Sequence, residues 1–89
     1  MFSPHDHVIF TDVDGAEGVL VDLNSKQYFQ LNETASLVWR GLAKGTPVDR
    51  IAKELTDVYD VTLEHAQSSV DAVIRDFIAH RLVKTAPQP

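Results

Sequence analysis

The chain has 89 residues, enough for one small hydrophobic core but not for a core and a roomy catalytic cleft. Apolar residues make up 44% and charged ones 24%, which excludes a disordered chain and fits an ordinary globular domain. The net charge is −5 with both halves acidic, which argues against nucleic acid and anionic membranes as partners; the lack of cysteine excludes disulfides, thiolate metal sites and thiol nucleophiles.

The segment from Met1 to His7 holds Pro4, Asp6 and two histidines instead of a basic stretch and an apolar run, so no signal peptide is expected. No apolar run approaches the roughly 18 residues that a membrane span needs, and a cytoplasmic protein is the expectation. Three strands come first. His7 to Val13 is rich in β-branched and aromatic residues, and Asp14 to Gly18 supplies turn chemistry. Val19 to Leu23 is the second strand, Asn24 to Lys26 a short connection, and Gln27 to Leu31 the third. In the third, Phe29 and Leu31 share one face and Tyr28 and Gln30 the other. Links this short predict an antiparallel meander, because parallel pairing needs a crossover of about a dozen residues.

Three helices follow. Asn32 is a suitable N-cap for the first, whose apolar stripe is Ala35, Val38, Trp39 and Leu42, and Gly45 sits where a left-handed residue would end it. Thr46 reads as the next cap, with Pro47 in the first turn and a stripe of Val48, Ile51, Ala52 and Leu55. Thr62 caps a third helix that runs from Leu63 to about Arg81. Its apolar set is Ala66, Val70, Val73, Ile74, Phe77 and Ile78. The Pro-rich end, residues 84–89, reads as a flexible tail on a single domain spanning 1–89. The expected fold is therefore α+β: a three-stranded antiparallel sheet followed by three helices, with a winged helix-turn-helix-like second half.

No residue pattern calls for catalysis, a metal or a cofactor. His5 and His7 form an H-x-H pair without further ligands nearby in sequence, and solvated histidines are the simpler reading. Ser36, Ser68 and Ser69 fall inside helices, away from any nucleophile elbow. Asp12, Asp14 and Glu17 lack the rest of a calcium loop and read as a solvated turn. A DNA-reading third helix would present Leu63, Glu64, His65, Gln67, Ser68, Ser69 and Asp71, with no Lys or Arg before Arg75. Nothing there can pair bidentately with guanine.

The third strand carries more information. A meander that ends in a helix leaves it at a sheet edge, and such an edge offers unpaired N–H and C=O groups to another extended chain. Gln27 to Leu31 contains no Pro, and the nearest charge is Lys26. If Ala66, Val70, Val73 and Phe77 fill the core, Ile74 and Ile78 lie at the flank of the third helix beside Asp71 and Arg75, and the alternative is that both isoleucines widen the core contact. The first arrangement describes a groove suited to peptide capture by β-addition.

The run G-V-L-V-D-L-N-S-K-Q-Y-F-Q-L-N-E-T-A-S-L-V-W, Gly18 to Trp39, resembles the signature of the PqqD-like family. The segment I-A-x-x-L-x-x-x-Y-D-V, Ile51 to Val61, and the closing helix to Val83 fit it too. The resemblance implies a RiPP recognition element, a non-catalytic domain of ribosomal peptide biosynthesis that holds a precursor's leader as a strand added beside the third strand, against the third helix. Carried over, Lys26, Gln27, Tyr28, Phe29, Gln30 and Leu31 would pair with the leader, and Asp71, Ile74, Arg75 and Ile78 would form the helical side of the groove. The N-E-T-A-x-x-V-W form is most similar to the stand-alone proteins of lasso-peptide clusters. That implies delivery to a transglutaminase-like cysteine protease that removes the leader, with a cyclase as a further partner. The alternatives are a chaperone delivering a precursor to a radical SAM enzyme in pyrroloquinoline quinone biosynthesis, and a winged-helix DNA-binding regulator.

Overall fold

The computed structural model describes residues 2–14 and 17–85. Its elements in chain order are β1 (Phe2–Pro4), β2 (Val8–Asp12), β3 (Gly18–Asp22), β4 (Gln27–Leu31), α1 (Glu33–Lys44), α2 (Val48–Val58), α3 (Leu63–Ala79) and β5 (Val83–Thr85). Strands β2, β3 and β4 form the expected antiparallel meander, with β3 in the centre. Together with the three helices it makes an α+β fold.

Register follows from which side chains the core accepts. The rows Phe10–Leu20–Phe29 and Asp12–Gly18–Leu31 lie across the three strands. Leu20 and Leu31 are buried in these rows, and Phe10 and Phe29 pack against the same core. A slip of one residue would carry all of them to the solvent face. The helices close over this side. Val38, Trp39 and Leu42 from α1, Ile51, Ala52 and Leu55 from α2, and Ala66, Val70, Ile74 and Phe77 from α3 form one cluster with the sheet. Trp39 meets Phe77 edge-to-face with centroids 5.3 Å apart, a geometry that aromatic quadrupoles favour.

Helix boundaries follow hydrogen-bond chemistry. The Asn32 side chain accepts from the Ala35 amide at 2.9 Å, and Thr62 Oγ1 accepts from His65 N at 3.1 Å, so both caps are as expected. Thr46 is not the cap of α2. Its amide donates back to Gly41 O while Gly45, at φ 80°, donates to Leu42 O. Thr46 thus completes the closing motif of α1, and Pro47 precedes α2 without a side-chain cap. The end of α3 repeats this motif with Arg81 as the left-handed residue (φ 59°), and Leu82 N reaches Phe77 O at 2.9 Å.

That turn corrects the expectation for the C-terminus. It sends Leu82 and Val83 into the core, and Val83–Thr85 pairs antiparallel with Phe2–Pro4. Lys84 and Thr85 therefore belong to a strand and not to a tail; Ala86–Pro89 lie outside the described residues. Pairing between two short terminal strands leaves no periodicity of its own in the sequence, which is why β1 and β5 were not expected.

Gly41 on α1 packs against Ile51 on α2. A Cβ there would stand 2.7 Å from Ile51 Cγ1, and Ile51 is fully buried. Gly41→Ala gains about 1 kcal/mol of helix propensity but forces overpacking that costs about 1–3 kcal/mol. Net destabilisation is expected in urea unfolding, and a more stable variant would contradict this packing.

Candidate functional site

Strand β4 is held from behind and open at its side. Among the described residues it pairs with β3 alone. Its start is set by the β3–β4 turn, where Asp22 Oδ1 accepts from the Asn24 and Ser25 amides at 2.9 and 3.2 Å. Lys26 N donates to Asp22 O at 2.7 Å, and Lys26 takes a left-handed φ of 59° to enter the strand. At the other end, buried Ser36 donates to Leu31 O at 3.5 Å. Between them Phe29 is packed edge-on by His80, centroids 5.2 Å apart. Register and orientation of β4 are thus fixed without its outer edge.

At the C-terminal end of β4 a cleft of about 490 Å³ lies between that end, the start of α1 and α3. Gln30, Leu31, Asn32, Thr34 and Ala35 form one wall, and Ser69, Ala72, Val73, Asp76 and Phe77 the other. Phe77 carries the apolar floor and is supported from within by Trp39. Thr34 and Ser69 also border a smaller recess of about 190 Å³ over Leu55, Tyr59, Val61, His65 and Ala66. The Tyr59 hydroxyl donates to Glu33 Oε2 at 3.0 Å, tying the end of α2 to the start of α1. Burial, then the neighbouring Glu33 carboxylate, push the Tyr59 phenol above its usual range, so it remains a donor.

Of the ten residues expected here, Lys26 to Leu31 form β4 and the residue before it; Gln30 and Leu31 line the cleft directly. The four α3 residues lie in different places. Ile74 is 4% exposed inside the core. Ile78 is exposed on the flank of α3 away from the cleft, about 140° round the helix from Val73. Asp71 and Arg75 pair with each other, Nε to Oδ2 3.0 Å, on the outer surface of the helix. They border a shallow depression that adjoins the cleft through Ala72, Val73 and Asp76. The cause is the centre of the buried stripe. The core takes Ala66, Val70, Ile74 and Phe77, a 4-4-3 spacing, and this turns Val73 rather than Ile74 towards β4. Ser69, Ala72, Val73 and Asp76, which the sequence reading did not single out for the groove, line the cleft; the row one residue before that ladder contains Ser69, Val73 and Asp76, and Ala72 lies beside it.

The other polar clusters lie elsewhere. His5 and His7 stack at 5.0 Å, and His7 Nε2 lies 3.7 Å from Asp22 Oδ1. Glu17 N donates to Asp14 Oδ1 at 2.9 Å within the β2–β3 turn. Arg40 pairs with Asp12 and lies over the Phe10 ring. Among the described residues no three His, Asp or Glu side chains are grouped to hold a metal ion, and no helix is long and apolar enough to cross a membrane.

A three-stranded meander with β4 at an edge, flanked by a three-helix layer that leaves a cleft between the end of β4 and α3, defines the class: a PqqD-like recognition element. Residues 17–83 match the model of the family described as coenzyme PQQ synthesis protein D (PqqD), and the chain belongs to that family. Two solved structures are similar over nearly the whole chain. TbiB1 in complex with the TbiA(beta) leader peptide has a TM-score of 0.87 at 22% identity, covering 97% of this chain and 99% of that one. Lasso peptide synthetase B1 complexed with the leader peptide has a TM-score of 0.86 at 26% identity, covering 94% and 98%. No curated protein matches the sequence at a significant level.

Burial alone would raise the pKa of Asp22. Hydrogen bonds from the Ser25 and Asn24 amides, with His7 nearby, outweigh it and hold the carboxyl below its usual range. Its folded pKa thus lies below the unfolded value. The ionised form stabilises the fold above about pH 4, and this contribution is lost as pH falls through the depressed value. Asp22→Asn keeps the acceptor oxygen. It is expected to melt below wild type at pH 7 and to converge with it as pH falls through the depressed value. Thermal denaturation across that range measures the difference, and a difference independent of pH contradicts the assignment.

Proposed function

We propose that this chain is a non-catalytic module that captures the leader segment of a ribosomal precursor peptide and delivers it to a leader peptidase. The leader adds as a strand to the free edge of β4. Backbone hydrogen bonds supply affinity and register, and side chains entering the cleft supply selectivity. The observation that carries the reading is the coincidence of an open β4 edge with a cleft of side-chain size against α3. The leader-peptide complexes of the two similar structures support it. Within the cleft, Leu31, Val73 and Phe77 form an apolar floor for an aliphatic or aromatic anchor, while Gln30, Ser69 and Asp76 are polar groups at its walls. Asp71 and Arg75 lie further out, at the rim.

Capture of a flexible segment costs ordering entropy, so the contacts must exceed the net affinity. A micromolar complex corresponds to about −8 kcal/mol. A polypeptide strand with one or two apolar anchors can supply that without a catalytic group. The family description favours a second destination, an enzyme of pyrroloquinoline quinone synthesis. Peptide capture at β4 serves either destination.

The test uses the synthetic leader of the precursor encoded in the same gene cluster, with fluorescence anisotropy as readout. Ala72→Arg places a long charged side chain over the cleft from an exposed position and should weaken binding at least tenfold, on the order of 1.4 kcal/mol. Ile78→Asp, on the other flank, should leave affinity within about twofold. Equal effects would refute the cleft. Ile74→Asp should act on folding instead, losing about 3–5 kcal/mol by burying a charge in the core, measured by urea unfolding.

A further inference from the structure

We propose that Asp76 selects a leader carrying an arginine or lysine two positions from its apolar anchor, so that the cleft reads an apolar–cationic pair. The proposal rests on the peptide-capture reading above. Among the described residues that line the cleft, Asp76 is the only ionisable one. Its side chain is 74% exposed, and no Lys or Arg among the described residues is paired with it. Arg75, the only Lys or Arg of α3, is held by Asp71 on the outer surface of the helix. His80 does not take that place. Its Nδ1 lies 2.9 Å from the Asp76 carbonyl oxygen but 3.7 Å from Oδ1, beyond hydrogen-bond reach.

An empty cleft leaves this carboxylate in water, where it needs no partner. A filled cleft does not. Phe29 meets His80 while Leu31 shares the cleft with Phe77, so α3 runs alongside β4 in the opposite direction. A strand added to β4 therefore passes along α3 and covers the wall where Asp76 stands. Covering a carboxylate beside Val73 and Phe77 removes its water, and only a donor or a positive charge from the peptide offsets that loss. The same geometry sets the spacing. Asp76 lies three residues beyond Val73, about 4.5 Å along the helix axis. Strand side chains that share a face are about 6.8 Å apart. An apolar side chain over Val73 and Phe77 thus brings the next inward-facing residue to Asp76, within reach of a long cationic side chain. The net charge of −5 favours the same sign of peptide at longer range.

The test follows the fluorescence anisotropy of the synthetic leader of the same gene cluster, with wild type and Asp76→Asn, over about 0.05–0.5 M salt. Asp76→Asn keeps the shape and removes a charge at an exposed position, so its urea midpoint should stay close to that of wild type. Its affinity should fall about tenfold at low salt, the scale of a charged hydrogen bond, and the difference should shrink as salt rises. Asp76→Lys, paired with a leader whose Arg or Lys is replaced by Glu, should regain the binding that each change alone loses. A merely structural Asp76 would give neither the salt dependence nor the rescue. Wild-type affinity in Asp76→Asn at every salt concentration overturns the proposal. So does a salt-independent loss that the exchanged pair does not restore, and so does a leader that binds tightly without Arg or Lys at that spacing. In each of these cases peptide capture stands if Ala72→Arg still weakens binding. Failure of the wild-type chain to bind the leader overturns the capture reading itself.

Discussion

The structure depends on β4 being immobilised through every contact except its outer edge. Its inward side chains Phe29 and Leu31 are fixed by His80 and the core, its start by the Asp22-centred turn, and its end by Ser36. The strand addition we propose needs an edge strand held in this way. Were its register set by a further strand, it would have no capacity left; were it held loosely, an incoming chain would also have to order it. Preorganisation of this kind lowers the entropic cost of binding.

The helices extend the same constraint into a cleft. Trp39 on α1 supports Phe77 on α3, and the close α1–α2 contact at Gly41 and Ile51 fixes the layer behind them. The terminal pair β1–β5 adds Leu82 and Val83 to the core and anchors the chain just after α3. The wall facing β4 is consequently a row of small and polar residues, Ser69, Ala72 and Asp76, with Val73 and Phe77 beneath. Small side chains leave the volume, and buried ones give it an apolar base. In the TbiB1 and lasso peptide synthetase B1 complexes the same fold is found together with a leader peptide.

Much of this was legible in the sequence where local chemistry dominates. Two-fold alternation gave β4 its boundaries, Asn32 and Thr62 announced two helix starts, and Gly45 announced a helix end. The run from Gly18 to Trp39 pointed to the PqqD family before any coordinates. What failed were features decided by tertiary context. Thr46 has the chemistry of a cap, yet its amide closes the preceding helix. Six apolar residues on α3 allow two centres for the buried stripe, and only packing against α1 and α2 chooses Ile74 over Val73. The α3 wall of the cleft lies one row over from Ile74 for that reason. The short strands β1 and β5 exist because two chain ends meet, which no local pattern records.

Hydrogen exchange of the β4 amides, with and without the synthetic leader, tests the central claim most directly. Amides of Gln27 to Leu31 that point away from β3 should exchange quickly in the free protein and become strongly protected on leader addition, while those already paired with β3 change little. Unchanged exchange along β4 in a saturated complex, with new protection confined to other elements, would contradict the account.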